Sequence, residues 1–327
     1  HYVFDCELFS DLALAECGVD FVERFKRKTP ESKETPVLAS ACPGWVCYAE
    51  KTHGDWVLPY LSEVKSPQQI AGNLLKDHLP REFNVPASRI AVIAVMPCFD
   101  KKLEASRSDF LRDDQTTKDV DMVLTPVELE LILNESNIDF ATIPSSQLDP
   151  FVGITRSIMN IPIGSGSGGY AEHVMRFAAQ ELFGISIGED LFKPCRNSDL
   201  LEATVERDGE CLLRFAIANG FRNIQNLVQK LKRKKCTYDY VEVMACPSGC
   251  LNGGAQLRPG DNTDAKSLTL YLKDLHSQLP KRQIDKHETS QLADCLMNEF
   301  SAEERRPKVR TSFHAVAKTT NALVVKW

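Results

Sequence analysis

Three short apolar runs, each closed by a cysteine in a Pro- or Gly-bearing turn, restrict the fold more than any other feature of the sequence. The first, 35–42, ends at Cys42-Pro43-Gly44-Trp45. The second, 89–98, ends at Met96-Pro97-Cys98, and the third, 238–246, at Cys246-Pro247-Ser248-Gly249-Cys250. Short apolar runs bounded by turn residues read as strands. The second is nearly continuous in apolar residues, the pattern of a strand covered on both faces. Helical stripes alternate with these runs. Ser66 before Pro67 caps a helix reaching about Leu79, and Pro126 to Leu133 follows a strand over 121–124. Val174, Phe177, Ala178 and Leu182 form a stripe ended by Gly184. Phe221, Ile224, Leu227, Val228 and Leu231 form another, and Asp208-Gly209 marks a hairpin. This alternation predicts an α/β fold, two lobes of mostly parallel sheet flanked by helices. All three cysteine turns then fall beyond the carboxyl ends of strands, where such sheets hold their sites.

The bulk properties narrow the function. The 327 residues are 43% hydrophobic and 26% charged, as in a globular protein with a large core. No apolar run approaches the ~20 residues needed to cross a bilayer. The net charge of −6 argues against general nucleic-acid binding, and the basic stretch 230–235 reads as the solvated end of a helix. The stretch 107–118 reads as an exposed polar loop, Gly164 to Gly169 as a hinge or close-packing loop, and 281–308 as an amphipathic helix and a loop. The chain opens on His1 with no signal-peptide pattern, which suggests a piece lacking its natural N-terminus. No two of the seven histidines, with a carboxylate, have metal-ligand spacing, so none is assigned to chemistry.

Eleven cysteines are many for a chain without a secretory signal, and their odd number fits a disulfide scaffold poorly. Cys246 and Cys250 stand four apart in a turn whose glycines let backbone amides approach the sulfurs. Two thiolates are too few, since a cubane cluster or a tetrahedral zinc takes four. Cys42 and Cys98, each at a strand end beside proline, supply the others. Zinc sites usually draw on two close cysteine pairs, whereas two of these ligands are far-separated single residues, a pattern better suited to a bulky cluster between lobes. Cys6, Cys17, Cys47, Cys195, Cys211, Cys236 and Cys295 read as small buried hydrophobes.

Three ordered segments, Ser40-Ala41-Cys42-Pro43-Gly44-Trp45, Met96-Pro97-Cys98-Phe99-Asp100-Lys101-Lys102-Leu103-Glu104 and Glu242-Val243-Met244-Ala245-Cys246-Pro247-Ser248-Gly249-Cys250-Leu251-Asn252-Gly253-Gly254, resemble the signature loops of iron-only hydrogenases. Lys65-Ser66-Pro67-Gln68-Gln69 is similar to that superfamily too, and the likeness covers nearly the whole chain. Within it the sequence looks closest to the eukaryotic nuclear prelamin A recognition factor-like branch, components of cytosolic iron–sulfur protein assembly. The resemblance implies one 4Fe-4S cluster on Cys42, Cys98, Cys246 and Cys250, and a second in an N-terminal ferredoxin-like segment that this chain lacks. It implies a hydrogenase-like domain over 1–315, with approximate lobes 1–88 plus 240–315 and 89–239, and a tail over 316–327. Trp327 would dock that tail on the cytosolic iron–sulfur targeting complex, including its WD40 propeller subunit, with apo iron–sulfur proteins as indirect partners. The setting implied is cytoplasmic, with a nuclear one open.

A hydrogenase needs a titratable relay to its buried iron. Hydrogenases place a cysteine before the first ligand, where this chain has Ala41. A relay carboxylate of the first helix falls at Cys17, flanked by Glu16 and Asp20. Ala255 stands where a third glycine is usual. Lys101, which in hydrogenases binds ligands of the binuclear iron, is retained; here it is expected to offset the charge of the thiolates. The expectation is a cluster carrier or adaptor and not an enzyme. A divergent hydrogenase or other redox enzyme is the alternative, and an interaction module with a structural metal is a third.

Overall fold

The computed structural model describes residues 1–29, 31–152, 161–162, 168–188, 191–259, 264–282 and 302–316. In chain order the elements that frame the site are α1 (Glu7–Arg27), β1 (Val37–Ala39), α2 (Pro43–Tyr48), α3 (Pro67–Phe83), β2 (Ile93–Val95), α4 (Asp100–Ala105), β3 (Met122–Leu124), α5 (Pro126–Glu135), β4 (Ile161–Pro162), α6 (Tyr170–Phe183), β5 (Lys193–Asn197), β6 (Leu200–Arg207), β7 (Glu210–Asn219), α7 (Phe221–Lys232), β8 (Tyr240–Met244), α8 (Ala265–Gln278), β9 (Lys281–Arg282) and α9 (Ala302–Val309). The helix starts follow local chemistry. The Ser66 hydroxyl accepts from Gln69 N with Pro67 at the first helical position, and Thr125 and Glu128 form a capping box ahead of α5. Gly184 closes α6 at φ 68°.

The largest sheet runs β1-β8-β7-β6-β5. It is parallel where the first and third cysteine runs meet, Leu38 opposite Val241, and where β8 meets β7. It turns antiparallel through the β6–β7 hairpin, which reverses at Asp208 and Gly209, both at positive φ. The sheet is therefore mixed. Residues 193–219, which the approximate division groups with 89–188, join the sheet of β1 and β8 through β7. β2 and β3 form a separate parallel pair, and β4 pairs with β9.

Both faces of the central sheet are covered. Tyr240 packs with Phe9, Phe21, Ile70, Met175 and Phe215, under α1, α3 and α6. Val241 and Val243 point the other way, onto Trp45, Val57, Ile224 and Leu227 beside α2 and α7. Successive strand residues thus serve two cores, which is why β8 carries apolar side chains on both faces. β2 departs from the same expectation: among the described residues Ile93 and Val95 are exposed and only Ala94 packs on the core.

The stretch 107–118 is not an exposed loop throughout. Phe110 and Thr117 are buried, and Arg112 pairs with Asp77 and Asp119. Its two arginines are paired with carboxylates, so part of a polar sequence lies against the body. Cys195 and Cys211 are exposed rather than buried, the first on the edge strand β5 and the second beside the β6–β7 hairpin turn; Cys295 lies outside the described residues. Of 281–308 only the two ends are described, β9 and α9. No helix among the described residues is long and apolar enough to cross a membrane.

Candidate metal centre

Three loops converge at the carboxyl ends of β1, β2 and β8. Cys42 caps α2 directly after β1, with Pro43 at the first helical position. The Ser40 hydroxyl donates to Val243 O (2.5 Å) and accepts from Cys42 N (3.0 Å), stitching the first loop to β8. Cys98 lies just before α4, and Met96 N donates to Leu124 O (2.8 Å) to hold that loop on β3. After β8, Ser248 adopts φ 65° and its N–H donates to Asp199 Oδ1 (2.7 Å). This turns the chain into a short 3-10 segment, Gly249–Asn252, that carries Cys250.

The loops touch at glycines. A Cβ at Gly44 would lie 2.8 Å from Asp100 Oδ2, 3.3 Å from Ala245 Cβ and 3.7 Å from Cys42 Sγ, so all three loops meet there. A Cβ at Gly253 would lie 2.3 Å from Pro97 O. Ala255, fully buried, donates its N–H to that same carbonyl (3.2 Å). The loop of Cys98 is thereby pressed against the turn of Cys250.

Backbone amides act on three of the four sulfurs. Ala245 N donates to Cys42 Sγ (3.4 Å). Lys101 N donates to Cys98 O (3.3 Å), and the backbone amides of Lys101 and Gly254 favour the thiolates of Cys98 and Cys246. The Cys246 thiol titrates above its ordinary value, first through burial and then through the negative charges of Cys42 and Cys98. Cys98 is raised by burial as well, and the Lys101 amide and cation draw it back. Three thiols close enough to oppose one another's ionisation want a cation among them. Among the described residues no group of three histidine, cysteine or acidic side chains is drawn together as a lone metal ion requires. Zinc holds its sulfurs at about 2.3 Å, whereas a cubane sets iron and sulfide between its ligand sulfurs and spaces them further apart. The donor set fits a cluster: soft thiolates, a backbone amide donating to sulfur, and glycines where the backbone must come close.

Lys101 is 7% exposed and sits beside Cys98. Its ammonium pairs with Glu104 (3.0 Å), and Glu104 also accepts from Ser66 Oγ (2.5 Å) and Gln68 Nε2 (3.4 Å). The lysine is part of a buried polar cluster, not a surface cation. Ala41 is a partly buried methyl packed on the core. Cys17 is buried, its thiol raised well above the ordinary value by burial and by Asp20 and Glu16. A polar file does persist behind it: the Ser62 hydroxyl reaches the Cys17 thiol and donates to Asp20 (2.9 Å).

Residues 1–254 match the family described as iron only hydrogenase large subunit, C-terminal domain. The chain belongs to this family. It is 45% identical over 331 residues to cytosolic Fe-S cluster assembly factor narfl of Xenopus tropicalis, spanning all of this chain and 69% of that protein. It is 46% identical over 332 residues to cytosolic iron-sulfur assembly component 3 of Mus musculus, with the same coverage. Among solved structures, a variant of FeFe-hydrogenase HydA1 from Chlamydomonas reinhardtii matches with a TM-score of 0.81 at 27% identity, over 96% of this chain and 84% of that one. The hydrogenase-like α/β architecture expected from the three loops is therefore that of the family.

Cys42, Cys98, Cys246 and Lys101 act on one another at the loop ends, and Cys250 is carried on the turn that meets the Cys98 loop; Trp327 lies outside the described residues. Two buried carboxylates escaped the sequence reading as site residues. Glu104, three after Lys101, carried a signal in that helical spacing. Glu242 carried one as a charge inside an apolar strand. It is 2% exposed and accepts from Ala171 N (2.9 Å) and the Tyr170 amide at the start of α6. Burial pushes it up to about 7. A Cβ at Gly168 would lie 2.2 Å from its Oε1, so this glycine does serve close packing.

Proposed function

We propose that the chain is a component of cytosolic iron–sulfur protein assembly, holding one 4Fe-4S cluster on Cys42, Cys98, Cys246 and Cys250 and acting as carrier or adaptor, not as an enzyme. The convergence of three separate loops at Gly44 and Gly253, with the Ala245 amide donating to Cys42 Sγ, carries this reading. When bound, the cluster supplies an inorganic core that accepts an electron or can be passed on. The chain's own residues hold it, with Lys101 and the amides offsetting thiolate charge. The assembly role rests on the relatives named above. A second cluster in a segment preceding His1, and docking of Trp327 on the targeting complex and its WD40 propeller subunit in a cytoplasmic or nuclear setting, extend the same reading.

Anaerobic purification with iron, sulfide and zinc analysis tests it. The parent is expected to hold about four iron and four sulfide per chain in this domain, and Cys246→Ala to lose most of both. Stoichiometric zinc without sulfide would sink the cluster assignment. The file of Cys17, Ser62 and Asp20 favours one competitor, a divergent hydrogenase or other redox enzyme. Ala41, where the resemblance leads one to expect a cysteine, weighs against that competitor, because a methyl group carries no proton. Hydrogen uptake or evolution by the cluster-loaded chain would establish the competitor instead.

A further inference from the structure

The C-terminal part of the described chain is tied to the candidate centre through one buried carboxylate. Residues 309–316 run as a strap along the body. Lys65 N donates to Val309 O (2.7 Å) and Thr311 N to Glu63 O (2.8 Å). Arg310 is clamped on α1 by Glu16 (2.5 Å) and Asp20 (3.1 Å). Thr311 and Phe313 then wall a cavity of about 30 Å³ whose far side is Ser40, Pro43 and Cys47, the first cysteine loop and α2. Next the strap reaches Glu50. His314 N donates to Glu50 Oε1 (3.0 Å), and Val316 N to Glu50 O (3.2 Å).

Glu50 lies in a π-helical stretch, Ala49–His53, that continues α2, the helix capped by Cys42. Such stretches are rare and recur at functional sites. Glu50 is 4% exposed, and Arg107 grips its carboxylate with both terminal nitrogens (2.7 and 2.8 Å). Arg107 follows α4, which begins two residues after Cys98. Asp109 holds Arg107 (3.0 Å) and meets His314 Nε2 (3.0 Å). One carboxylate thus joins the helix behind Cys42, the segment behind Cys98 and the strap. A buried ion pair of this kind is sensitive to loss of any partner.

We infer that Glu50 is a positioning residue linking the strap to the two single-cysteine loops, so that displacing the strap alters the hold on the centre. This rests on the cluster reading above. Because such coupling is reciprocal, loss of the cluster also loosens the strap.

His314→Pro and His314→Gln in the full chain separate the linkage from mere stability. Proline deletes the N–H that Glu50 accepts, whereas glutamine keeps that N–H and a side-chain donor for Asp109. Hydrogen exchange over 42–53, 98–107 and 309–316 is read with and without the cluster, together with the rate at which a chelator strips iron. The proline variant is expected to raise exchange in all three segments and speed iron loss several-fold. The glutamine variant should stay within twofold of the parent. Faster exchange confined to 309–316, or glutamine behaving as proline does, would overturn the linkage. A parent devoid of iron and sulfide would sink the cluster reading alone, since exchange still reports the linkage.

Discussion

Gly253 faces the most severe spatial demand of any single residue at the centre. The atoms that a Cβ there would meet, Pro97 O at 2.3 Å and Cys250 O at 3.0 Å, are backbone on both sides, so neither can swing away. Gly253→Ala should therefore prise the turn of Cys250 from the loop of Cys98. The expected cost is about 1–3 kcal/mol of stability, with a marked fall in iron and sulfide per chain. Gly254→Ala is the control, because nothing lies within 4 Å of its added carbon; equal occupancy in both variants would refute the packing argument. Glu242 poses a different problem, a carboxyl raised from an ordinary 4.5 to about 7 by burial. The native state binds that proton more tightly than the unfolded chain does. Stability from this group is therefore full below pH 4.5 and falls away as pH rises through 7. Glu242→Gln carries no such dependence. Denaturant unfolding at pH 5 and pH 8 should show the parent losing ground against the variant by up to about 3 kcal/mol. A pH-independent gap would mean that Glu242 ionises normally.

Among the elements, what could be read from the sequence was what local chemistry decides. Ser66, Thr125 and Gly184 announce helix ends because a hydroxyl, a capping box or a left-handed glycine acts within one turn. The reading of α3 stopped at Leu79 because Pro80 follows, yet the helix continues to Phe83 and closes on left-handed Asn84. Proline costs one N–H bond there, which the last turn of a packed helix tolerates. The cysteine runs were legible because short apolar stretches closed by proline or glycine turns mark strands, although β2 leaves Ile93 and Val95 exposed. Their partners were not, since pairing β8 with both β1 and β7 joins residues about 200 apart on one side and about 25 on the other. No local signal distinguishes that order from two separate parallel lobes. The same limit hid the role of Arg107. Its partner Glu50 lies 57 residues away, and charge spacing along the chain says nothing about such a pair.

For the whole molecule, the centre and the tail are expected to have separable duties. The strap is anchored as far as Val316 by bonds to Glu50, so a change at the last residue should leave the loops of Cys42 and Cys98 in place. An indole is a compact anchor, since its ring fills a pocket on a partner. Removing Trp327 should then keep iron and sulfide at the parent level while weakening capture of the targeting complex. A buried aromatic anchor is worth at least about 2 kcal/mol, or roughly 30-fold in affinity. Titrating purified targeting complex against the parent and the chain lacking Trp327 measures that ratio directly. Undiminished affinity would show that the tail is not the contact. A parallel loss of iron would show that tail and centre fold as one unit.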